Sequence, residues 1–200
     1  MSKIIMKKIF YFAALLLTGM VFTSCEKEDI ENTATVDMAG QWYVQIDAVD
    51  EEGNPIPGGE DYFGIVAGTG ARSIILTYNT ADNNRSEMFI DDLGVFDVAS
   101  FYGNGGYPNY AFKSKVNIDL KTLTFSTTDA ENLAAVNGYD SDLYPITITD
   151  GKILKGAGHQ NNGSKADSIV FYVSYAGDPW YPDDGYAKYR VSGIRYTPAL

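Results

Sequence analysis

A chain of 200 residues with 26 Asp and Glu against 15 Lys and Arg carries a formal net charge of −11, which makes it a poor partner for nucleic acid. One histidine and one cysteine give zinc too few soft ligands and allow no disulfide, so no metal or cofactor is expected and stability must come from a core. Fifteen tyrosines, ten phenylalanines and 20 glycines favour strands punctuated by turns.

The chain begins with Lys3, Lys7 and Lys8, followed by the apolar run IFYFAALLLTGMVF (9–22), then Thr23, Ser24 and Cys25. That run is shorter than the roughly 20 residues a bilayer span needs, and with its basic start and small-residue end it predicts a secretory signal peptide over residues 1–24. Small residues directly before Cys25 resemble a bacterial lipobox. The resemblance implies cleavage before Cys25, acylation of its thiol and a membrane anchor, each buried CH₂ of which adds about 0.8 kcal/mol. Glu26, Lys27, Glu28 and Asp29 resemble the surface-export signal of Bacteroidetes lipoproteins, which implies an outer-membrane protein facing the cell surface or the periplasm. EKEDIENTATVDM (26–38) is polar and unpatterned, so residues 25–38 read as the lipidated cysteine and a flexible tether. Without residues 1–24 the chain keeps 12 basic and 26 acidic residues, a charge of −14, so contact with the membrane is expected through the anchor and not through charge.

Beyond residue 39, alternation dominates. GQWYVQID (40–47) places Trp42, Val44 and Ile46 on one face and Tyr43, Gln45 and Asp47 on the other. EEGNPIPGGE (51–60) is a turn-rich loop. Residues 62–68 and 72–79 read as a hairpin through Gly68–Gly70, with a further strand over 86–94. FKSKVNID (112–119) and TLTFSTT (122–128) form the next pair. Thr128 and Glu131 make a capping box and Asn137-Gly138 a stop, so 128–138 predicts one short helix. Strands over 144–149 and 152–158 flank Asp150-Gly151, the strongest short hairpin signal in the chain. In 166–176, Ile169, Phe171, Val173 and Tyr175 share a face, and 186–196 is the last strand.

About 8–10 strands in meander order predict an all-β domain over 39–200, closed as an antiparallel up-and-down barrel because closure removes exposed edges. Gly40-x-Trp42 at the head of the first strand resembles the lipocalin signature, in which the Trp plugs the closed end of the barrel. A basic residue from the end of the chain stacks on that Trp, and Arg190 and Arg195 both suit the part.

The lipobox, the acidic tether, GQWYV (40–44), NGSKADSIVFYVSY (162–175) and YAKYRVSGIRYTP (186–198) together resemble the Bacteroidetes lipoproteins called lipid-binding putative hydrolases. The resemblance spans the whole mature domain and implies a calycin-like barrel, a lipid or other small apolar ligand, and a hydrolase label. The family's last strand tends to end in Arg-Thr-Gly-aromatic, whereas this chain ends Arg195-Tyr196-Thr197-Pro198-Ala199-Leu200.

Catalytic chemistry is thin. His159 with Ser164 and Asp167 supplies the residue types of a relay, but on a Gly/Asn-rich turn without the strained G-x-S-x-G elbow, so no catalysis is expected. Asp178, Asp183 and Asp184 offer oxygens without the spacing of a calcium loop. Asp91-Asp92, Asp183-Asp184 and Glu51-Glu52 are sequence neighbours that a strand points to opposite faces. Phe101, Tyr102, Tyr107 and Tyr110, with Trp180 and Tyr181, either rim an open mouth or seal the barrel as core. Trp42, Val44, Ile46, Ile169, Phe171 and Val173 line or fill its interior. The expected function is therefore that of an anchored lipoprotein binding a small apolar ligand such as a lipid. The alternative is a carbohydrate-binding accessory lipoprotein for glycan uptake, with Trp180, Tyr181 and Tyr102 as stacking platforms.

Overall fold

The computed structural model describes residues 33–62, 73–94, 96, 110–134, 143–178 and 188–196. Its strands are β1 Gly40–Val49, β2 Ser73–Asn79, β3 Glu87–Asp91, β4 Lys113–Asp119, β5 Thr124–Ala130, β6 Ile146–His159, β7 Lys165–Tyr175 and β8 Lys188–Arg195. Each pairs antiparallel with the next, and β8 returns to β1 in a register running from Trp42 opposite Arg195 to Val49 opposite Lys188. Closure leaves no edge of the sheet unpaired. The fold is the expected all-β, calycin-like, up-and-down barrel, with eight strands.

Alternation decides which side chains face inward. Along β7, Ile169, Phe171, Val173 and Tyr175 are buried, while the residues between them keep partial exposure. Trp42, Val44 and Ile46 of β1 do the same, meeting Ile75, Met88, Ile90, Val116 and Val191 in one apolar cluster. Val44, Ile46, Ile169, Phe171 and Val173 are all 0–1 % exposed, so they fill the barrel and line no solvent-holding space. Each such side chain contributes about 1.5–3 kcal/mol by leaving water.

Three expectations change. Asp150-Gly151 makes no hairpin, because β6 runs unbroken through it from Ile146 to His159. The pairing with β7 shifts between Thr149 and Lys152, the pairing with β5 shifts just beyond Phe125, and Asp150 takes a φ of 54°. The dipeptide is a bulge that bends a long strand. A Cβ on Gly151 would lie 2.4 Å from the Phe125 carbonyl oxygen, and the Phe125 ring fills that space. The helix over 128–138 is likewise absent where the chain is described: Thr128–Ala130 end β5 and 131–134 are irregular. There Asn132 outcompetes a helical turn by donating to the Ala111 and Tyr144 carbonyls and accepting from Lys113 N–H. Finally, Ser73–Asn79 pairs with β1 and β3, and the 62–68 hairpin arm lies outside the described residues beyond Tyr62.

The two ends of the barrel differ. At the base, strands join through the short connections 80–86, 120–123 and 160–164. Residues 33–38 also pack there, with Thr35 and Met38 fully buried, ahead of the residue 39 at which alternation starts. At the opposite end the connections are long, spanning 50–72, 92–112, 131–145 and 176–187.

Candidate functional site

At the base, the side chains form a plug. Trp42 Nε1–H donates to Thr77 Oγ1 at 2.8 Å, and the Thr77 hydroxyl donates to the Met38 carbonyl at 2.6 Å. Arg195 stacks on the Trp42 ring 4.3 Å from its centroid and donates to the carbonyls of Ala39 and Asp37. Its Nε lies 3.2 Å from Asp167 Oδ2, and Lys155 bridges Asp167 to Asp37. Burial works to raise the Asp167 pKa, but the Gly156 N–H, Lys155 and Arg195 outweigh it and hold the carboxyl below its usual range. Gly40 leaves room for the Arg195 guanidinium, which a Cβ there would crowd at 2.4 Å. Trp42 therefore closes the barrel and faces no opening.

Arg190, the other stacking candidate, points elsewhere. It pairs with Asp47 at 2.8 Å, under the β1–β2 connection, where Asp61 N–H and Gln45 Nε2 also donate to Asp47. Burial pushes the Asp47 pKa up, yet those bonds and the Arg190 charge leave it lowered.

The relay candidates do not assemble. His159 is exposed at the end of β6, the Ser164 hydroxyl donates to Asn162 at 2.7 Å, and Asp167 is held by Lys155 and Arg195. None of the three is hydrogen-bonded to another.

The loop end is built from groups of which alternation singled out only Tyr175. Tyr110, Tyr175 and Tyr189 pack edge to face with centroids 4.9–6.1 Å apart, beside the Phe96–Phe112 pair at 5.2 Å. The Tyr175 hydroxyl donates to the Tyr110 carbonyl at 2.6 Å, and the Tyr110 hydroxyl donates to Asp178 at 2.5 Å. These rings floor the loop end and seal the core from it. Tyr110 thus serves the sealing role; Phe101, Tyr102, Tyr107, Trp180, Tyr181, Asp183, Asp184 and Cys25 lie outside the described residues.

Asp92 sits by this floor, 1 % exposed. It accepts from the backbone N–H groups of Phe96 at 2.8 Å, Gly94 at 3.0 Å and Phe112 at 3.1 Å, tying the turn after β3 to the approach to β4. Burial outweighs those three donors, and with Asp91 adjacent the carboxyl is pushed up to about 7. The only sequence trace of this group was the Asp91-Asp92 pair, read for its opposed faces. Tyr175 shared the β7 inward face, and Asp178 appeared only as a weak oxygen ligand.

An open groove of about 560 Å³ also runs along β4–β7, where Asn117, Asp119, Ser126 and Lys152 face solvent. It gathers none of the candidate site residues. Among the described residues, no three His, Cys, Asp or Glu side chains converge as a metal site.

Comparison with known proteins places this geometry in context. A family model described as lipid-binding putative hydrolase matches residues 27–199. No curated protein matches the chain.

Proposed function

The chain belongs to the lipid-binding putative hydrolase family, and from that premise we propose that it holds one lipid molecule at the loop end of its barrel while an acylated Cys25 anchors it to the outer membrane. The observation that carries the location is the asymmetry of the barrel. Its base is plugged by Trp42, Arg195 and Met38, and its middle is filled by Ile46, Phe171 and their neighbours. An acyl chain has neither entry at the base nor space in the middle. The loop end offers an aromatic floor and four long connections, which suits a ligand that is mostly apolar with one polar group. The anchor reading rests on the run from Ile9 to Cys25.

Native mass spectrometry of the chain from residue 25 with Cys25→Ser, which carries no anchor and is purified from its own host without detergent, tests the lipid reading. A discrete adduct of lipid mass, released on denaturation, is the expected result. A bare protein that stays bare when fatty acids and phospholipids are offered would refute it.

A further inference from the structure

Four large apolar side chains among the described residues are more than a third exposed: Val36 at 47 %, Leu93 at 55 %, Leu133 at 44 % and Leu154 at 39 %. Leu93 and Leu133 both lie at the loop end, on two different connections. Leu93 follows β3, whose last residue Asp91 pairs with Lys113. The Leu133 N–H donates to the Lys113 carbonyl at 2.7 Å. The two leucines therefore flank the start of β4.

Both are held out in water by anchored backbone. Leu93 has a φ of 55°, a left-handed conformation that disfavours a side chain with a Cβ. Two carboxylates enforce it: Asp91 accepts from Leu93 N–H at 2.9 Å, and Asp92 accepts from Gly94 N–H at 3.0 Å. Next to Leu133, Asn132 fixes the backbone by accepting from Ala134 N–H at 3.2 Å and donating to the Ala111 and Tyr144 carbonyls. Leu93 held at a positive φ adds nothing to the core, and with the exposed Leu133 at the same end of the barrel it leaves an apolar surface open to an external contact.

We propose that Leu93 and Leu133 form a hydrophobic lip with which the loop end touches the surface of a zwitterionic bilayer, the phase from which its lipid is drawn. The inference rests on the lipid-binding reading above and adds the surface that engages the lipid's source. A lipid is nearly insoluble as a monomer, so a protein that holds one gains from contact with a membrane. The charge around the lip suits an uncharged surface: Lys113 lies 3.6 Å from Asp91, and the Tyr78 hydroxyl also donates to Asp91. With a chain charge of −11, an anionic bilayer would repel the protein.

The test uses the chain from residue 25 with Cys25→Ser, which has no anchor of its own, and phosphatidylcholine vesicles whose acyl chains carry bromine, a contact quencher of tryptophan. Leu93→Trp, Leu133→Trp and Leu154→Trp variants are compared, with the parent emission of Trp42 and Trp180 subtracted. Quenching and a blue shift at positions 93 and 133, with neither at 154, is the expected result. No quenching at 93 and 133, or equal quenching at 154, overturns the lip. Native mass spectrometry of a Leu93→Ser, Leu133→Ser variant separates the two readings. A retained lipid adduct alongside absent quenching removes the lip alone, whereas no adduct in either variant or parent removes the lipid-binding reading itself.

Discussion

The guanidinium of Arg195, at the end of the last strand, lies 4.3 Å over the ring of Trp42, near the start of the first. The two are opposite one another in the β1–β8 register, so this contact joins the two ends of the barrel where it closes. Both partners are also tied to the residues that precede β1: Trp42 through Thr77 to Met38, and Arg195 to the Asp37 and Ala39 carbonyls.

Replacing Arg195 by Ala removes the stacking, the ion pair to Asp167 and the bonds to two carbonyls at once. A loss of about 2–3 kcal/mol in urea unfolding is expected. Arg195→Lys should recover less than half of it, since an ammonium cannot both stack and reach two carbonyls in a fork. Full recovery by Lys would show that charge alone matters there.

Gly40→Ala acts through the same side chain. The new Cβ would occupy the space of the Arg195 guanidinium, 2.4 Å away. A cost of about 1–3 kcal/mol is expected in the parent chain. In an Arg195→Ala background most of it should vanish, so the double-mutant cycle is strongly non-additive. Additive costs would disprove that the glycine exists for the arginine.

The bulge in β6 gives two substitutions of different sign. Gly151→Ala presses its Cβ on the Phe125 carbonyl oxygen, which is backbone and cannot rotate away, and about 2 kcal/mol or more should be lost. Asp150→Gly relieves a φ of 54° and should be neutral or mildly stabilising. Thermal unfolding of both variants decides, and a destabilised Asp150→Gly would mean that the aspartate side chain holds the bulge.

Asp92 gives stability a pH dependence of unusual sign. Its pKa is about 7 when folded and 3.8 as the reference. The folded state therefore binds more protons between those values, and this contribution to stability is complete below 3.8, falls as pH rises to about 7, and is flat above. At about 1.4 kcal/mol per pKa unit, the fall amounts to a few kcal/mol. Asp47 and Asp167, with lowered pKa values, act the other way and lose their contribution as pH falls below the usual carboxylate range. Urea unfolding of the parent and Asp92→Asn at pH 4.5, 6 and 8 isolates the first effect. The variant loses the Phe96 N–H partner and should be the weaker at pH 4.5, with the gap closing or reversing by pH 8. A gap independent of pH would show that Asp92 does not titrate in this range.

Much of the barrel was legible because inward and outward direction is a local property of a strand. The period of two in Ile169, Phe171, Val173 and Tyr175, and in Trp42, Val44 and Ile46, marks the core without reference to any partner. The antiparallel order followed from closing a run of successive strands as a meander, and the Gly-x-Trp head was visible through its resemblance to the lipocalin signature. The loop-end floor was less visible: Asp92 carries no motif, and its burial depends on Phe96 and Phe112, which the sequence places well apart.

The sequence by itself thus determined strand character, meander order and the faces that form the core. Only the tertiary structure decided that Asp150-Gly151 bends one strand instead of joining two, since a left-handed Asp next to Gly suits a turn and a bulge equally and the paired β5 and β7 choose between them. It also decided that Arg195 and not Arg190 reaches Trp42, and that Asp92 lies beneath the turn that holds Leu93 in water. Those outcomes are set by contacts between distant segments, whose energies no local pattern of side chains encodes.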